Sequence, residues 1–579
     1  MGAWSSPNAR LRYTPRMDGI GALRRALGER ILLLDGATGT ALESMGLDAA
    51  AYGGEALVGC NEALVLHAPQ AVLELHRVYL DAGADVVETD TFGATPVVLA
   101  EYGLGDRALE INRRAAELAR EAAARFATAD RPRWVAGSMG PTTKSLTLTG
   151  GISFGELVAA YRVQAEGLAA GGADVLLIET AQDALNLKAA LIACREAAPG
   201  VPVAVSATIE PGGTTLGGQT IEAVAVMVEP WAPLWVGLNC STGPGPMREH
   251  VRALAGLTPS FLSVVPNAGM PDEDGRYTET PEHLAGVLAS FAAEGWINVL
   301  GGCCGTTPEH IRALREVADA HRPRRPVAYE PDRVAGGIAV PLRQERPPTL
   351  VGERTNALGS KKFRELLDAG RYAEAASVGR QQVRRGAHVL DLCVADPNAD
   401  ETARMTALVR AVRRAVRVPL MIDTTDPAVM EATLELVPGR PILNSVNLED
   451  GGARLKRIAS LARRFGCAVV AGCIDEDPKD GMARTAGRKL EVARRLLAEL
   501  EGHGLRRAEI LLDPLVFPAA TGDPKFAGSA AETVEGIRRI KAELPGALTL
   551  AGVSNVSVGL PPAARKVVNA VFLHRCVEA

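Results

Sequence analysis

Apolar runs alternate with amphipathic helical patterns along almost the whole chain, and this alternation constrains the fold more than any other feature. Between residue 31 and about residue 320 the pair occurs eight times. The apolar runs lie at 31–34, 86–89, 134–137, 175–178, 203–207, 235–238, 261–265 and 299–302. Segments between them, such as 71–81 and 157–169, carry apolar residues at three- and four-residue spacing, which predicts helices. Eight strand–helix repeats predict a closed parallel barrel, and four-repeat doubly wound domains are the competing interpretation.

The same alternation resumes after residue 349. Seven apolar runs lie at 350–352, 389–392, 420–422, 442–443, 469–472, 510–512 and 548–552, and a helical pattern at 563–578 follows the last of them. An eighth strand is missing, and an open barrel of seven strands would expose strand edges. We therefore predict an α/β fold of two consecutive (β/α)8 TIM-type barrels, with the second truncated before its eighth strand.

Composition changes between the two barrels. Residues 322–349 contain six prolines and many charges, which predicts an extended linker. We expect four segments along the chain. They are a disordered leader at 1–17, a barrel at 18–321, the linker at 322–349 and the truncated barrel at 350–579.

Charge and cysteine content narrow the class of protein. Of the 579 residues 47% are hydrophobic, and the net charge of −5 shows no basic excess, so nucleic acid is not an expected partner. Nine cysteines, an odd number that includes a vicinal pair, argue against a disulfide scaffold and for a reducing compartment. No apolar run reaches membrane-spanning length, and the first residues lack a signal-peptide core. We expect a cytoplasmic protein that has no membrane partner.

Three cysteines stand at the ends of two predicted strands of the first barrel. Cys240 follows the run 234–239, and Cys303 and Cys304 follow the run 297–302. Strand ends of one barrel share a face, where this fold places its chemistry. Three thiolates that converge there predict a zinc ion with an open fourth position, which is typical of catalytic zinc. Burial as small hydrophobic residues is the alternative for any single cysteine.

Polar side chains end nearly every predicted strand of the second barrel. They include Glu353, Asn356, Asp391, Asp423, Asn444, Asp475, Asp513 and Asn555. Such a ring of acceptors and donors suits a flat heterocycle with many N–H and C=O groups. For any one of these residues, helix capping is the alternative role.

Motifs of the first barrel resemble the zinc-dependent homocysteine S-methyltransferase domain. They are DGATGT at 35–40, ETDTFG at 88–93, GSMGPT at 137–142, GLNCS at 237–241 and GGCCG at 301–305. The resemblance implies that Cys240, Cys303 and Cys304 bind zinc and that homocysteine sulfur completes the tetrahedron. It also implies that backbone N–H groups at Asp35, Gly36 and Ala37 meet the substrate carboxylate and that Glu179 takes the ammonium group. Ser138 and Asn239, in the matching motifs, are further candidate homocysteine-binding residues. Asp90 departs from the family, whose members usually carry Asn there.

Motifs of the second barrel resemble the pterin-binding domain of methyltetrahydrofolate methyltransferases and dihydropteroate synthases. GERTN at 352–356, GSKKF at 359–363 and GVSNVS at 552–557 point to the methyltransferase branch. The resemblance implies that Asp423, Asn444 and Asp513 hold the pterin ring and that Asn555 is catalytic near N5. It makes Glu353, Asn356 and Asp391 further folate-binding candidates. Cys393 departs from the family pattern, in which Asn or Gly is commoner.

Together the barrels resemble the N-terminal half of the cobalamin-dependent methionine synthase family. This implies methyl transfer from 5-methyltetrahydrofolate through a cobalamin carrier to homocysteine, giving methionine and tetrahydrofolate. The cobalamin carrier would lie outside this chain, in cis or in trans. One alternative is a homocysteine S-methyltransferase that uses betaine or S-methylmethionine and has a vestigial pterin barrel. Another is a zinc-stabilised scaffold that docks a corrinoid protein. Dihydropteroate synthesis is disfavoured because no lysine follows Ser554-Asn555.

Overall fold

The structure is a computed structural model that describes residues 17–329, 331–519 and 521–579. The described residues divide into two units. One contains the chain up to Ala225 together with Trp231–Tyr329, and the other contains Val226–Pro230 and the chain from residue 331 onward. Of the predicted leader, residues 1–16 lie outside the described residues, and Met17 begins the first helix. None of the described helices is both long and apolar enough to cross a membrane.

Eight parallel strands form the sheet of the first unit. They are β1 (Leu32–Leu33), β2 (Val86–Glu88), β3 (Trp134–Met139), β4 (Val175–Ala181), β5 (Val203–Ala207), β6 (Trp235–Asn239), β7 (Phe261–Val265) and β8 (Val299–Leu300). Each strand pairs with the next along the chain from β2 to β8, and β8 pairs with β1. A parallel bridge between Leu34 and Val86 joins β1 to β2 and closes the ring.

Helices surround this barrel. They are α1 (Met17–Glu29), α2 (Thr38–Ser44), α3 (Ala49–Tyr52), α4 (Leu64–His67), α5 (Pro69–Asp81), α6 (Pro96–Leu99), α7 (Ala108–Phe126), α8 (Phe154–Ala170), α9 (Ala184–Ala197), α10 (Ile221–Val228), α11 (Pro244–Leu257), α12 (Pro281–Ala293) and α13 (Pro308–Ala320). Local sequence starts several of them, since Ser153 and Glu156 form a capping box at α8. Leu23 and Leu27 of α1 pack into the same apolar core as Trp134 and Trp235 of the strands.

The second unit has a hairpin and a seven-stranded parallel sheet. The hairpin is β9 (Arg333–Ala335) and β10 (Ala339–Pro341). The sheet strands are β11 (Val351–Gly352), β12 (Val389–Leu392), β13 (Leu420–Asp423), β14 (Ile442–Val446), β15 (Ala468–Gly472), β16 (Ile510–Asp513) and β17 (Leu548–Thr549). They pair in chain order, and within the described part of the chain β17 has no strand pairing back to β11. The prediction of two consecutive barrels, the second lacking its eighth strand, is confirmed.

Among the described residues, eight α-helices accompany the second sheet. They are α14 (Lys361–Asp368), α15 (Tyr372–Arg384), α16 (Glu401–Ala415), α17 (Pro427–Leu434), α18 (Ala453–Phe465), α19 (Ala486–Gly502), α20 (Ser529–Glu543) and α21 (Pro562–Glu578). The hairpin lies within the segment that we predict as an extended linker. Its Val334 and Val340 are buried against Met421 and Ile442 of the sheet. Burial of these two valines explains why part of this proline-rich segment adopts regular structure.

A buried charge cluster stabilises the first unit below its strands. Asp85 is fully buried, its carboxylate lies 2.8 Å from Arg30 and 2.7 Å from Arg315, and it also accepts the Leu33 N–H. Removing one partner of such a cluster leaves buried charges uncompensated, which costs about 3–5 kcal/mol. We therefore expect Asp85→Asn to lower the free energy of unfolding of this unit by about that amount in denaturant titrations. Asp81→Asn, an exposed change at the end of α5, is the matched control, and equal stability of the two variants would contradict the expectation.

Candidate active sites

The three predicted metal ligands meet at the C-terminal mouth of the first barrel. The Cys304 sulfur lies 3.9 Å from the sulfurs of Cys240 and Cys303, and all three sulfurs lie within 4.8 Å of one another. Thiolates at about 2.3 Å from a tetrahedral ion are separated by about 3.8 Å, so the spacing matches a three-sulfur site. Among the described residues this is the only group of His, Cys, Asp and Glu side chains with ligand spacing.

Backbone conformation and hydrogen bonds prepare the thiols. Cys240 adopts a left-handed φ of 60°, which turns the chain sharply after β6. Hydrogen bonds from the thiols of Cys303 and then Cys304 lower the pKa of Cys240 to about 3. The Asn239 side-chain amide lies 3.9 Å from the Cys303 sulfur and donates to Thr180 at 2.7 Å. Asn239 therefore links the cysteine cluster to the end of β4.

Three carboxyl groups that form no ion pair with any described residue line the same mouth. Burial, and then repulsion from Glu179, raises the pKa of Glu88 well above its usual range. Burial raises the pKa of Glu179 to about 7, and Ser138 donates a hydrogen bond to Glu179. Asp35 is 3% exposed; one of its oxygens accepts the Glu88 N–H at 2.9 Å, and the other has no partner among the described residues. A pocket of this kind suits a ligand that brings its own positive charge.

The turn after β1 is tied to the cysteine-bearing turn after β8. The Ala37 N–H donates to the Thr306 hydroxyl at 3.2 Å, and that hydroxyl donates to the Cys303 carbonyl at 2.7 Å. A Cβ on Gly36 would lie 2.6 Å from the Tyr79 ring, so this position excludes larger residues. Because the Ala37 N–H already donates to Thr306, this N–H holds the turn after β1 against the turn after β8.

Two residues near this mouth are not predicted as site residues from the sequence. Glu88 ends β2 within the ETDTFG motif, and its position at a strand end is the sequence signal that could identify it. Tyr277, in the loop after β7, forms a hydrogen bond with the Cys304 thiol, and its ring would clash with any side chain at Gly305. Its role depends on a long-range contact, so no local pattern identifies it. Asp90 is buried with one oxygen unpartnered among the described residues.

The second barrel gathers a cluster of carboxylates and amides at the ends of its strands. The Asn356 side-chain amide donates to Asp391 at 3.0 Å and to Asp423 at 2.9 Å. Burial, followed by the charge of Asp423, raises the pKa of Asp391 to about 7. Burial also raises the pKa of Asp423 to about 6, against hydrogen bonds from Cys393 and Asn356 that lower it. Cys393 thus acts as a donor to this cluster.

The remaining predicted folate-binding residues differ in their surroundings. Burial raises the pKa of Asp513 to about 6 and that of Glu353 above its usual value. The Asn444 side chain contributes a hydrogen bond to Asp391. Asn555 is exposed, in a 3₁₀ turn at Val553–Ser557. Asp475 is different, because its carboxylate forms ion pairs with Arg488 and Arg495 of α19 and has a structural role.

Comparisons with known proteins agree with this division. The sequence model of the homocysteine S-methyltransferase family matches residues 32–318, and that of pterin-binding enzymes matches residues 352–579. The chain therefore contains a homocysteine S-methyltransferase domain followed by a pterin-binding domain. Both resemblances drawn from the motifs are therefore confirmed.

Two methionine synthases match this chain across both domains. Methionine synthase of Mycobacterium tuberculosis is 42% identical over 96% of this chain, and that of Mycobacterium leprae is 41% identical over 96%. The chain spans about half, 47%, of the length of each relative. The metallated form of the homocysteine methyltransferase MmuM from Escherichia coli is 28% identical over 52% of this chain and 99% of that one, with a TM-score of 0.44.

The homocysteine S-methyltransferase domain therefore carries the cysteine cluster, and the pterin-binding domain carries the acidic strand-end cluster. Each cluster lies at the C-terminal ends of its own strands, where barrels of this type place their chemistry.

Proposed function

We propose that this chain supplies the homocysteine and folate sites for methyl transfer from 5-methyltetrahydrofolate, through a cobalamin carrier, to homocysteine, giving methionine and tetrahydrofolate. The observation that carries the proposal is the presence, in one chain, of a three-thiol cluster beside buried carboxyls and of a separate acidic cluster in a pterin-binding domain. The betaine or S-methylmethionine alternative leaves the second cluster without a role.

Cys240, Cys303 and Cys304 would hold one zinc ion. Their sulfur spacing fits that ion, and thiolates are ligands that zinc prefers. When bound, zinc would supply Lewis acidity that lowers the pKa of a substrate thiol. The chain's own contribution is to fix the three sulfurs through the turns after β6 and β8 and through the Asn239 amide.

Homocysteine carries an ammonium group that the acidic pocket would recognise. Glu179 is the candidate partner, held by Ser138, and Glu88 lies against it. A bound ammonium would favour the ionised form of these carboxyls and offset the cost of burying them. Asp35 and the turn at Gly36 and Ala37 would position the end of homocysteine that carries its ammonium and carboxylate groups.

The pterin ring would bind to the cluster of the second barrel. Asp391 is buried, Asp423 and Asp513 are half-buried, and all three have raised pKa values, so ring N–H donors would stabilise their ionised forms. Asn444, Asn356 and Glu353 complete the set as neighbouring amide and carboxyl groups. A missing N–H partner in such a site is costly, which would give selectivity for the pterin.

The proposal assigns the methyl carrier to a cobalamin-binding domain or protein outside this chain, and it assigns the reaction to the cytoplasm. The decisive experiment supplies free cobalamin to the chain and assays each half-reaction with zinc content measured alongside. Methylation of homocysteine by methylcobalamin and demethylation of methyltetrahydrofolate by reduced cobalamin are both expected. Turnover with betaine or S-methylmethionine, and none with methylcobalamin, would favour the alternative enzyme. Chelation of zinc that causes loss of folding, and not selective loss of activity, would favour a scaffold.

Asn555 is the candidate for assisting the folate nitrogen that loses the methyl group. Protonation at N5 makes this amine a better leaving group, and an amide held near it would stabilise the protonated form. We expect Asn555→Ala to slow folate-to-cobalamin transfer by about a hundredfold in single-turnover assays. The dissociation constant of methyltetrahydrofolate should change by less than about threefold. Gln381→Ala, which removes an exposed amide from α15, is the control, and an unchanged rate would remove the assigned role of Asn555.

A further inference from the structure

Lys489 of α19 is a fully buried lysine in the second unit. Its ammonium group donates to the carbonyl oxygens of Ala483 at 2.9 Å, Pro514 at 2.5 Å and Leu515 at 3.0 Å. A buried ammonium group is expensive unless its donors are satisfied, and here all three donors have an acceptor. An apolar side chain would fill the same space without that cost, so the position calls for an explanation beyond packing.

The three carbonyls belong to the loops that follow β15 and β16. Leu515 stands two residues after Asp513, in a left-handed conformation with φ of 61°. Its N–H donates to the Asp513 carboxylate at 2.8 Å. Leu515 therefore connects the two side chains: its carbonyl accepts from Lys489, and its N–H orients the Asp513 carboxylate. Thr533 of α20 donates to the same Leu515 carbonyl at 3.0 Å.

Aromatic and charged groups complete the surroundings of this ammonium group. It lies 5.0 Å from the centroid of the Phe517 ring, within the range of a cation–π contact. The titratable groups that face it are Cys473 beyond β15, Asp513 at the end of β16 and Glu532 of α20. Asp513 is faced by Lys489 and, from the loop after β11, by Glu353. The positive charge of Lys489 lowers the pKa of Asp513, whereas burial and Glu353 raise it.

We propose that Lys489 is a positioning residue of the folate site, which holds the loop after β16 so that the Asp513 carboxylate faces the pterin ring in its ionised form. This inference rests on the proposed function of the second barrel. Lys489 itself lies in the core behind the loop and is assigned no contact with the substrate.

The test uses the full chain and measures the dissociation constant of 5-methyltetrahydrofolate by calorimetry from about pH 5 to about pH 8.5. Lys489→Met keeps an unbranched side chain that is one heavy atom shorter, and it removes the charge and the donors. We expect it to weaken binding by about tenfold at neutral pH. We also expect the pH below which binding is lost to rise, because Asp513 without the nearby cation ionises at higher pH. A role in packing alone would not produce that pH shift.

Lys541→Met is the matched control. Lys541 also donates to a backbone carbonyl, that of Ala547, but this residue precedes β17 and so lies at the N-terminal end of the strands, away from Asp513. Its folate affinity and pH profile should equal those of the wild type. Methylation of homocysteine by methylcobalamin should be unchanged in both variants, since it uses the first barrel.

Thr533→Val provides a second measurement if Lys489→Met fails to fold. It removes one of the two donors to the Leu515 carbonyl and leaves the charge of Lys489 in place, so it should weaken folate binding without moving the pH profile. Wild-type affinity in Thr533→Val, or wild-type affinity and pH profile in a folded Lys489→Met, would overturn the inference. A wild-type chain that binds no folate would instead overturn the proposed function, and this inference with it.

Discussion

Replacing Cys303 with serine is expected to abolish zinc retention and methyl transfer to homocysteine, while demethylation of methyltetrahydrofolate survives. The Cys303 sulfur lies 3.9 Å from that of Cys304 and within 4.8 Å of that of Cys240. A serine hydroxyl does not ionise at neutral pH and is a poor zinc ligand, so the affinity for zinc should fall by more than about a hundredfold. Metal analysis after dialysis and the two half-reactions with free cobalamin provide the measurements.

Cys576→Ser is the matched control for that experiment. Cys576 is a half-buried free cysteine on α21 in the other unit, so its replacement tests the effect of losing any thiol. The control should retain zinc and both half-reactions. Stoichiometric zinc in Cys303→Ser would contradict the three-sulfur site, and loss of both half-reactions would contradict the independence of the two sites.

Replacing Asp423 with asparagine is expected to weaken folate binding while leaving the fold at least as stable. The amide keeps one acceptor oxygen but brings an N–H₂ group toward the Asn356 amide, which donates to Asp423 in the wild type. Ring N–H donors then lose a charged acceptor in a buried site, so the dissociation constant should rise by about 10- to 100-fold. Calorimetric titration with 5-methyltetrahydrofolate measures the change.

The stability of the same variant should move in the opposite direction. The pKa of Asp423 is raised to about 6 by burial, whereas an unfolded aspartate titrates near 3.9. The folded wild type therefore binds the proton more tightly, and this group lowers stability as the pH rises from about 4 to about 6. Asp423→Asn removes that loss, so its melting temperature at pH 7 should equal or exceed the wild-type value.

Asp426→Asn is the control for both measurements. Asp426 caps α17, a position where asparagine is an equally good N-cap residue. Folate affinity and stability should both remain near wild-type values. If Asp423→Asn bound folate as tightly as this control, Asp423 would have no part in the site.

Much of the candidate sites could be predicted from local sequence. Cys240 and Cys303-Cys304 stand directly after apolar runs, and the barrel geometry then requires their convergence. The acidic residues near the ends of β12, β13 and β16 are likewise expected to converge, because these strands end at one face of the second barrel. Asp475 and Asp513 both stand near the end of a predicted strand, so local sequence does not distinguish them. In the structure Asp475 forms ion pairs with arginines of α19, whereas Asp513 experiences the charge of Glu353. The direction of each side chain depends on residues far along the chain, which no local pattern records.

The sequence by itself determined the order of strands and helices, the two barrels, their family resemblances and the three thiols, because periodicity and strand-end residues are local properties. Only the tertiary structure decided that the Glu88 and Glu179 carboxyls lie against each other and that the Cys393 thiol donates a hydrogen bond to Asp423. It also decided that Lys489 lies behind the Asp513 loop and that the 333–341 hairpin packs on the second sheet. These arrangements depend on register and on packing between distant segments, where burial and charge act through space rather than along the chain.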